Sequence, residues 1–272
     1  MAHPQIAAFA RLANGGDLPL RVIAGQETKL GRTMHDIRYD AVHDEVFVTN
    51  PFAQAILVFR GSASGEEPPI RIIQGPHTQL QVPDTLEIDT VHNEIFVPDS
   101  PAVVHVYPLD AHGDVAPLRT LNADGAVAVD PIHNVLVTAA SISVNGKRQE
   151  GLMIFNRTDQ GDAKPRAIIA GPKTGLLGGT RQFKIYPEGG WIVVTQSGGG
   201  GGDEPYPPNP FVGVWSINDN GDVPPRWKIN TVMKKPRAIT VDPKHKELIV
   251  ADMTLNSVLT YSLPEMFAAE KK

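Results

Sequence analysis

PIRIIQGPHTQLQVPDTLEIDTVHNEIFVPDSPAVVHVYPLDAHGD, from Pro69 to Asp114, contains four short runs rich in β-branched residues, separated by turn formers. They are Ile70–Ile73, Thr85–Ile88, Glu94–Val97 and Val103–Tyr107. Runs this short between Pro, Gly, Asn and Asp read as strands rather than helices. The stretch recurs along the chain. Its opening proline is matched by Pro19, Pro117, Pro165 and Pro225, giving spacings of 50, 48, 48 and 60 residues. A Gly-Asp or Gly-Glu pair at Gly16, Gly65, Gly113, Gly161 and Gly221 gives 49, 48, 48 and 60. Two independent anchors thus keep the same period. Four-stranded antiparallel units repeating at about 40–50 residues are the pattern of propeller blades. The strands of a unit are named a to d outward from the axis, so Thr85–Ile88 is strand a and the Pro-x-Arg strand is d, where proline suits an edge.

The expected fold is therefore all-β: one β-propeller domain over residues 1–272, with four-stranded antiparallel blades. Five a strands are found, near Ile37, Leu86, Val127, Phe183 and Ile239, against six c-like strands, because QIAAFARL and VLTYSL both qualify. Five blades with one surplus strand are favoured. Six would need a and b strands that this sequence does not contain. The strand from Pro19 is expected to close the ring beside Val258–Tyr261.

The chain has 272 residues, 25 Lys plus Arg, 30 Asp plus Glu and a net charge of −5. That balance, without a basic stripe, argues against nucleic acid as a partner. No run approaches the roughly 18–20 apolar residues of a membrane span. The absence of cysteine excludes disulfides, thiolate zinc sites and cysteine nucleophiles. No basic start followed by an apolar run is visible. Location stays open, secreted or periplasmic if a leader has been removed and cytoplasmic otherwise, and a monomer is expected.

DAVHDEVFV from Asp40, DTVHNEIFV from Asp89, DPIHNVLV from Asp130 and DPKHKELIV from Asp242 resemble bacterial NHL-type and YVTN-type β-propeller repeats. The resemblance covers nearly the whole chain and implies a propeller. It does not imply an activity, since such propellers include lactonases, lyases, binding proteins and scaffolds. More distantly similar gluconolactonase-like propellers hold a divalent metal with acidic and amide side chains. Asp36 and Glu87 are available for that, but Arg38, Arg181, Lys184 and Arg237 add four positive charges to the same region and favour an anion. No metal ligand is carried over and no cofactor is expected, with a divalent cation as the open alternative.

Period-two alternation places Ile37, Tyr39, Leu86, Ile88, Val127, Val129, Phe183, Ile185, Ile239 and Val241 against neighbouring sheets. The opposite parity is expected to line the channel: Asp36 and Arg38, Thr85 and Glu87, Ala126 and Ala128, Gln182 and Lys184, Ala238 and Thr240. At the mouth stand His35, Asp84, Gly125, Arg181 and Arg237. His35 and Asp84 are the candidate catalytic residues, with His35 as general base. Arg38, Glu87, Arg181, Lys184 and Arg237 are the candidate ligand-binding residues. The competing reading is that pairs such as Arg38 with Glu87 only satisfy one another.

Two insertions, 141–150 and 197–210, interrupt b-to-c connections and are expected to crown the same face. The second carries Gly198–Gly202, then Asp203, Glu204 and Tyr206, readable as a lid or as a plain tether. His43, His92, His133 and His245 each follow an Asp by three residues and read as turn-forming. His35 with Asp84 and Asp124 is the alternative cation site. The function expected is a binding or scaffold propeller recognising a small anionic molecule, a glycan or a protein segment at the mouth. The alternative is a lactonase-like hydrolase or lyase acting on a polar metabolite there.

Overall fold

The computed structural model describes residues 4–32, 34–144, 146–178, 180, 182–197 and 208–268. The chain is all-β, built as a five-bladed β-propeller, and divides into two compact units, residues 1–120 and 121–272. None of the described helices is long and apolar enough to cross a membrane.

In the first unit, β1 (Gln5–Ala8) pairs antiparallel with β2 (Arg21–Ala24). Then come β3 (Ile37–Asp40), β4 (Glu45–Asn50), β5 (Ala55–Arg60) and β6 (Arg71–Ile73), which form one four-stranded blade in sequence order. A second blade consists of β7 (Glu87–Asp89), β8 (Glu94–Asp99), β9 (Val103–Pro108) and, at the unit boundary, β10 (Arg119–Leu121). Its first three strands match the runs Thr85–Ile88, Glu94–Val97 and Val103–Tyr107 with ends shifted by up to two residues, as turn hydrogen bonds decide the ends, and the run Ile70–Ile73 is β6 of the preceding blade. Between these two blades lies a core of Phe47, Ile56 and Val58 from the first and Leu86, Ile95 and Tyr107 from the second, all fully buried.

The second unit has two further four-stranded blades. One runs β11 (Ala126–Asp130), β12 (Val135–Val144), β13 (Lys147–Asn156) and β14 (Ala167–Ile169). The next runs β15 (Phe183–Tyr186), β16 (Trp191–Gln196), β17 (Phe211–Ser216) and β18 (Trp227–Ile229). The last sheet has three strands, β19 (Pro236–Asp242), β20 (Glu247–Asp252) and β21 (Ser257–Ser262). β2 pairs with β1, its neighbour in sequence, a ladder whose short local connection makes it the least costly to close.

The Gly-Asp register has a direct physical cause. Gly65 N–H donates to the Val22 carbonyl (2.7 Å) and Ala24 N–H to the Gly65 carbonyl (2.9 Å). The same exchange joins Gly113 to Ile72 and Gln74, and, in the second unit, Gly221 to Ile168 and Ala170. Each is a parallel bridge from a d strand to the c-to-d turn of the following repeat, and Leu121 bridges Gly161 likewise. These turn glycines have φ of 65, 70, 59 and 82 in chain order, a conformation other residues adopt only with strain. The next residue caps a short turn that follows the d strand: Asp114 Oδ1 accepts the His77 N–H at 2.6 Å, and Asp222 Oδ1 the Lys173 N–H at 2.7 Å.

The a-to-b turns follow the Asp-x-x-His reading. Asp40, Asp89, Asp130 and Asp242 each accept the backbone N–H of the histidine three residues on with Oδ1. Their Oδ2 atoms hold that histidine's Nδ1 at 2.6–2.8 Å. In the fourth repeat Tyr186 stands in the Asp position and a short helix, Pro187–Gly189, closes the turn instead.

Three expectations are corrected. The first insertion is a hairpin extension rather than a free loop: residues 141–144 and 147–150 lengthen β12 and β13 to ten residues each, with Ser141 facing Glu150. SISV alternates as a strand does, and its partner strand satisfies its backbone. Ala126 and Ala128 do not line a channel but are buried with Phe183 and Ile185, because alanine leaves room for the adjacent blade's larger side chains. Ile37 and Tyr39 of β3 are 46% and 57% exposed while Arg38 between them is buried, the reverse of the polarity expected for that strand. Arg38 is drawn inward by buried carboxylates.

Gly113→Ala meets no atom within 4 Å and pays only for its φ of +70, an expected loss of about 1 kcal/mol. At Gly75, φ +136, a Cβ would stand 2.4 Å from the Asp114 side chain. Gly75→Ala is therefore expected to cost about 2–3 kcal/mol, combining backbone strain with a displaced cap. Urea unfolding of both, with Gly75→Ala repeated on an Asp114→Ala background where the extra loss should shrink, checks this.

Candidate functional site

The sequence-predicted residues of the first unit come together on the inner strands β3 and β7. Arg38, 9% exposed at its side chain, donates through Nε to Glu87 Oε1 at 3.2 Å and through Nη1 to Asp36 Oδ1. Nη1 also reaches the Ile37 carbonyl at 3.0 Å. Both acids are anchored by backbone as well. Asp36 accepts the N–H groups of Ile37 (2.9 Å) and Leu86 (3.0 Å), and Glu87 accepts that of Ile88 (3.1 Å). Burial works against the Arg38 charge, but Glu87 and then Asp36 outweigh it, so its pKa is held above the ordinary value. A buried ionic group survives only when paired and hydrogen-bonded in this way.

Next to this cluster, His35 Nδ1 is bonded to Asp84 Oδ1, with the two side chains 46% and 34% exposed. The backbone on either side of the pair is fastened by one hydroxyl. Asp36 N–H donates to Thr49 Oγ1 at 3.1 Å, and Thr49 Oγ1 donates to the Asp84 carbonyl at 3.1 Å. Strand β4 thus holds two of the candidate positions in register, a relation no local sequence pattern announced.

In the second unit, Lys184 on β15 and Arg237 on β19 lie on strands packed side by side, both half-buried and engaged with other groups. Arg181 and residues 198–207, with the glycine run and Tyr206, lie outside the described residues. Ser197 just before that run is buried and donates through Oγ to the Pro236 carbonyl at 2.7 Å.

Two titratable groups were missed from the sequence. Glu150 on β13 is buried, and burial pushes its carboxyl pKa up, hydrogen bonds from Thr180 opposing and the Asp124 charge adding to the rise. The available signal is the alternation of SISV, which places residues 141–144 and their partners on a strand pair. His105 on β9 is 3% exposed, and neither ring nitrogen has a hydrogen-bond partner. Burial lowers its pKa, and the Asp99 carboxylate, 3.8 Å from Nε2, opposes that only in part.

Among the described residues, the one cluster with spacing suited to a metal ion is Asp242, His245 and Glu247, whose ligand atoms lie within 4.8 Å of one another. Its Asp–His half repeats in three other turns, where it closes the turn. The cluster is that turn plus the first residue of β20.

No known family pattern and no curated protein matches the chain. Among solved structures it is similar to hydrazine synthase of Kuenenia stuttgartiensis, with a TM-score of 0.58 and 11% identity over 93% of this chain and 73% of that one. At this identity the likeness concerns the fold alone.

Arg38→Met would strand two buried carboxylates and is expected to cost about 3–5 kcal/mol. The triple change Asp36→Asn, Arg38→Met, Glu87→Gln should cost far less, and denaturant unfolding of both separates the cases. His105 gives a pH signature. Its folded-state pKa lies below the unfolded value of about 6.5, so its contribution is complete above that pH and is lost as pH falls towards the folded value. His105→Met is expected to flatten this acidic arm of the stability curve, measured by unfolding between pH 7 and pH 5.

Proposed function

We propose that the chain is a non-catalytic binding or scaffold propeller that recognises a small anionic molecule through the half-buried cations of its second unit. The observation that carries this is the internal neutralisation of Asp36, Arg38 and Glu87. Their polar atoms are committed to each other and to backbone N–H groups, an arrangement suited to stiffening inner strands rather than to proton transfer. Lys184 and Arg237, half-buried on strands packed side by side, are the cations this reading assigns to a carboxylate, which would have to displace the groups they now engage. The four Asp–His pairs serve their own turns and add nothing to such a site.

A second reading has one observation in its favour. His35, partly exposed and held through Nδ1 by the Asp84 carboxylate, has the form of a histidine oriented as a general base. That would suit a lactonase-like hydrolase or a lyase.

The deciding experiment is a thermal-shift screen of carboxylated sugars, lactones and divalent cations, with and without chelator, run beside a lactone-hydrolysis assay. A carboxylate that raises the melting temperature, loses its effect in the Lys184→Gln, Arg237→Gln double variant and is not turned over supports binding. Lactone turnover that disappears in His35→Ala would replace this reading with the enzymatic one.

A further inference from the structure

A cavity of about 360 Å³ opens in the first unit, between the two repeats that begin at β3 and β7. It lies at the a-to-b and c-to-d turns, away from the inner-strand charges described above. On one side it is lined by His43 and Glu45, on the other by Asn93, Pro108, Leu109 and Asp110, with Arg71 of β6 between them. The volume falls within the range of small-ligand sites, about 300–1,000 Å³.

Which ligand it suits follows from which lining groups are already committed. Arg71 would attract an anion, but its Nη1 and Nη2 both bind the Glu45 carboxylate, Nη2 at 2.8 Å to Oε2, and Nη2 also donates to the Leu109 carbonyl at 3.2 Å. The same fork occurs in the next repeat, where Arg119 grips Glu94 and lies 5.6 Å from the centre of the Phe96 ring, as Arg71 lies 5.8 Å from that of Phe47. The pair is thus part of the blade's architecture and neutral overall. The remaining charge in the cavity is the exposed Asp110 carboxylate. His43 adds an acceptor: Asp40, fully buried, binds its Nδ1 at 2.6 Å, which leaves Nε2 of a half-exposed ring carrying the lone pair. The Asn93 amide supplies another oxygen, and Pro108 with Leu109 supplies an apolar floor.

We propose that this cavity binds a primary alkylammonium group, its three N–H donors directed to Asp110, His43 Nε2 and the Asn93 amide oxygen, and its methylene chain on Pro108 and Leu109. An ammonium on a flexible stem joins a compact charge to methylenes that the apolar floor can cover.

The test is NMR titration of the whole chain with cadaverine, with Nα-acetyl-lysine methylamide, with its norleucine counterpart and with propionate. Amide shifts are expected around Asn93, Leu109 and Asp110 with the amines and not with norleucine or propionate. Asp110→Asn should weaken binding about tenfold, and Asp110→Lys should abolish it while the spectrum stays that of the folded protein. Binding of cadaverine alone assigns the cavity to free diamines. Binding of both amines assigns it to lysine side chains of a protein segment. No shifts with millimolar amine, shifts centred elsewhere, equal affinity in Asp110→Lys, or binding of propionate in this cavity would each overturn the proposal.

Discussion

Four outer strands, β2, β6, β10 and β14, each give a free edge to the glycine of the following repeat's turn, and the remaining architecture depends on that exchange. A strand with an open edge invites pairing with another molecule. Here the edge is short, four residues in β2 and three in β6, β10 and β14, and is engaged at its end by a backbone group that only a left-handed residue can present. Because the next side chain then caps the turn leading to the following inner strand, one dipeptide fixes both the hand-over between repeats and the start of strand a. That double duty explains why the Gly-Asp spacing keeps pace with the proline spacing even where the period stretches to 60.

Much of this was readable beforehand. The turn residues are specified by local chemistry, so Asp40 with His43 and Asp89 with His92 could be assigned from spacing alone, and the five inner strands lie where the repeat spacing places them. What escaped depends on neighbours. Parity says which residues share a face but not how much room the facing sheet leaves, so Ala126 and Ala128 were taken for channel positions although larger side chains from the next blade close over them. Nor did parity foresee Ile37 and Tyr39 facing out, since it knows nothing of the carboxylates that draw Arg38 inward. The Arg71–Glu45 and Arg119–Glu94 forks left a trace in the recurrent Pro-x-Arg and His-x-Glu patterns, but their meaning needed the b and d strands to be seen two apart in one sheet.

The charged side chains sort into two regimes. Asp36, Arg38 and Glu87 are desolvated, and their value lies in being matched, since loss of any one leaves the others uncompensated. His35, Asp84 and Asp110 are open to water, where a pairing is worth little for stability and stays available for exchange with a ligand. Composition counts these groups alike. Only burial separates those that hold the inner strands together from those able to meet something from solution.

The hairpin of β12 and β13 shows how such a blade tolerates growth. Its inner part, from Val135 opposite Asn156 to Ala140 opposite Gly151, keeps its pairing with the flanking strands, and the added residues extend the ladder from Ser141 opposite Glu150 outward. Lengthening at a hairpin tip proceeds by opposed pairs, so the inside-outside sense of every residue already placed is preserved. A single residue inserted nearer the base, beside Leu136 or Phe155, would instead invert the sidedness of the strand beyond it. The tip is therefore the place where sequence can be added to this blade without rewriting its core, whether by natural variation or by grafting a peptide epitope.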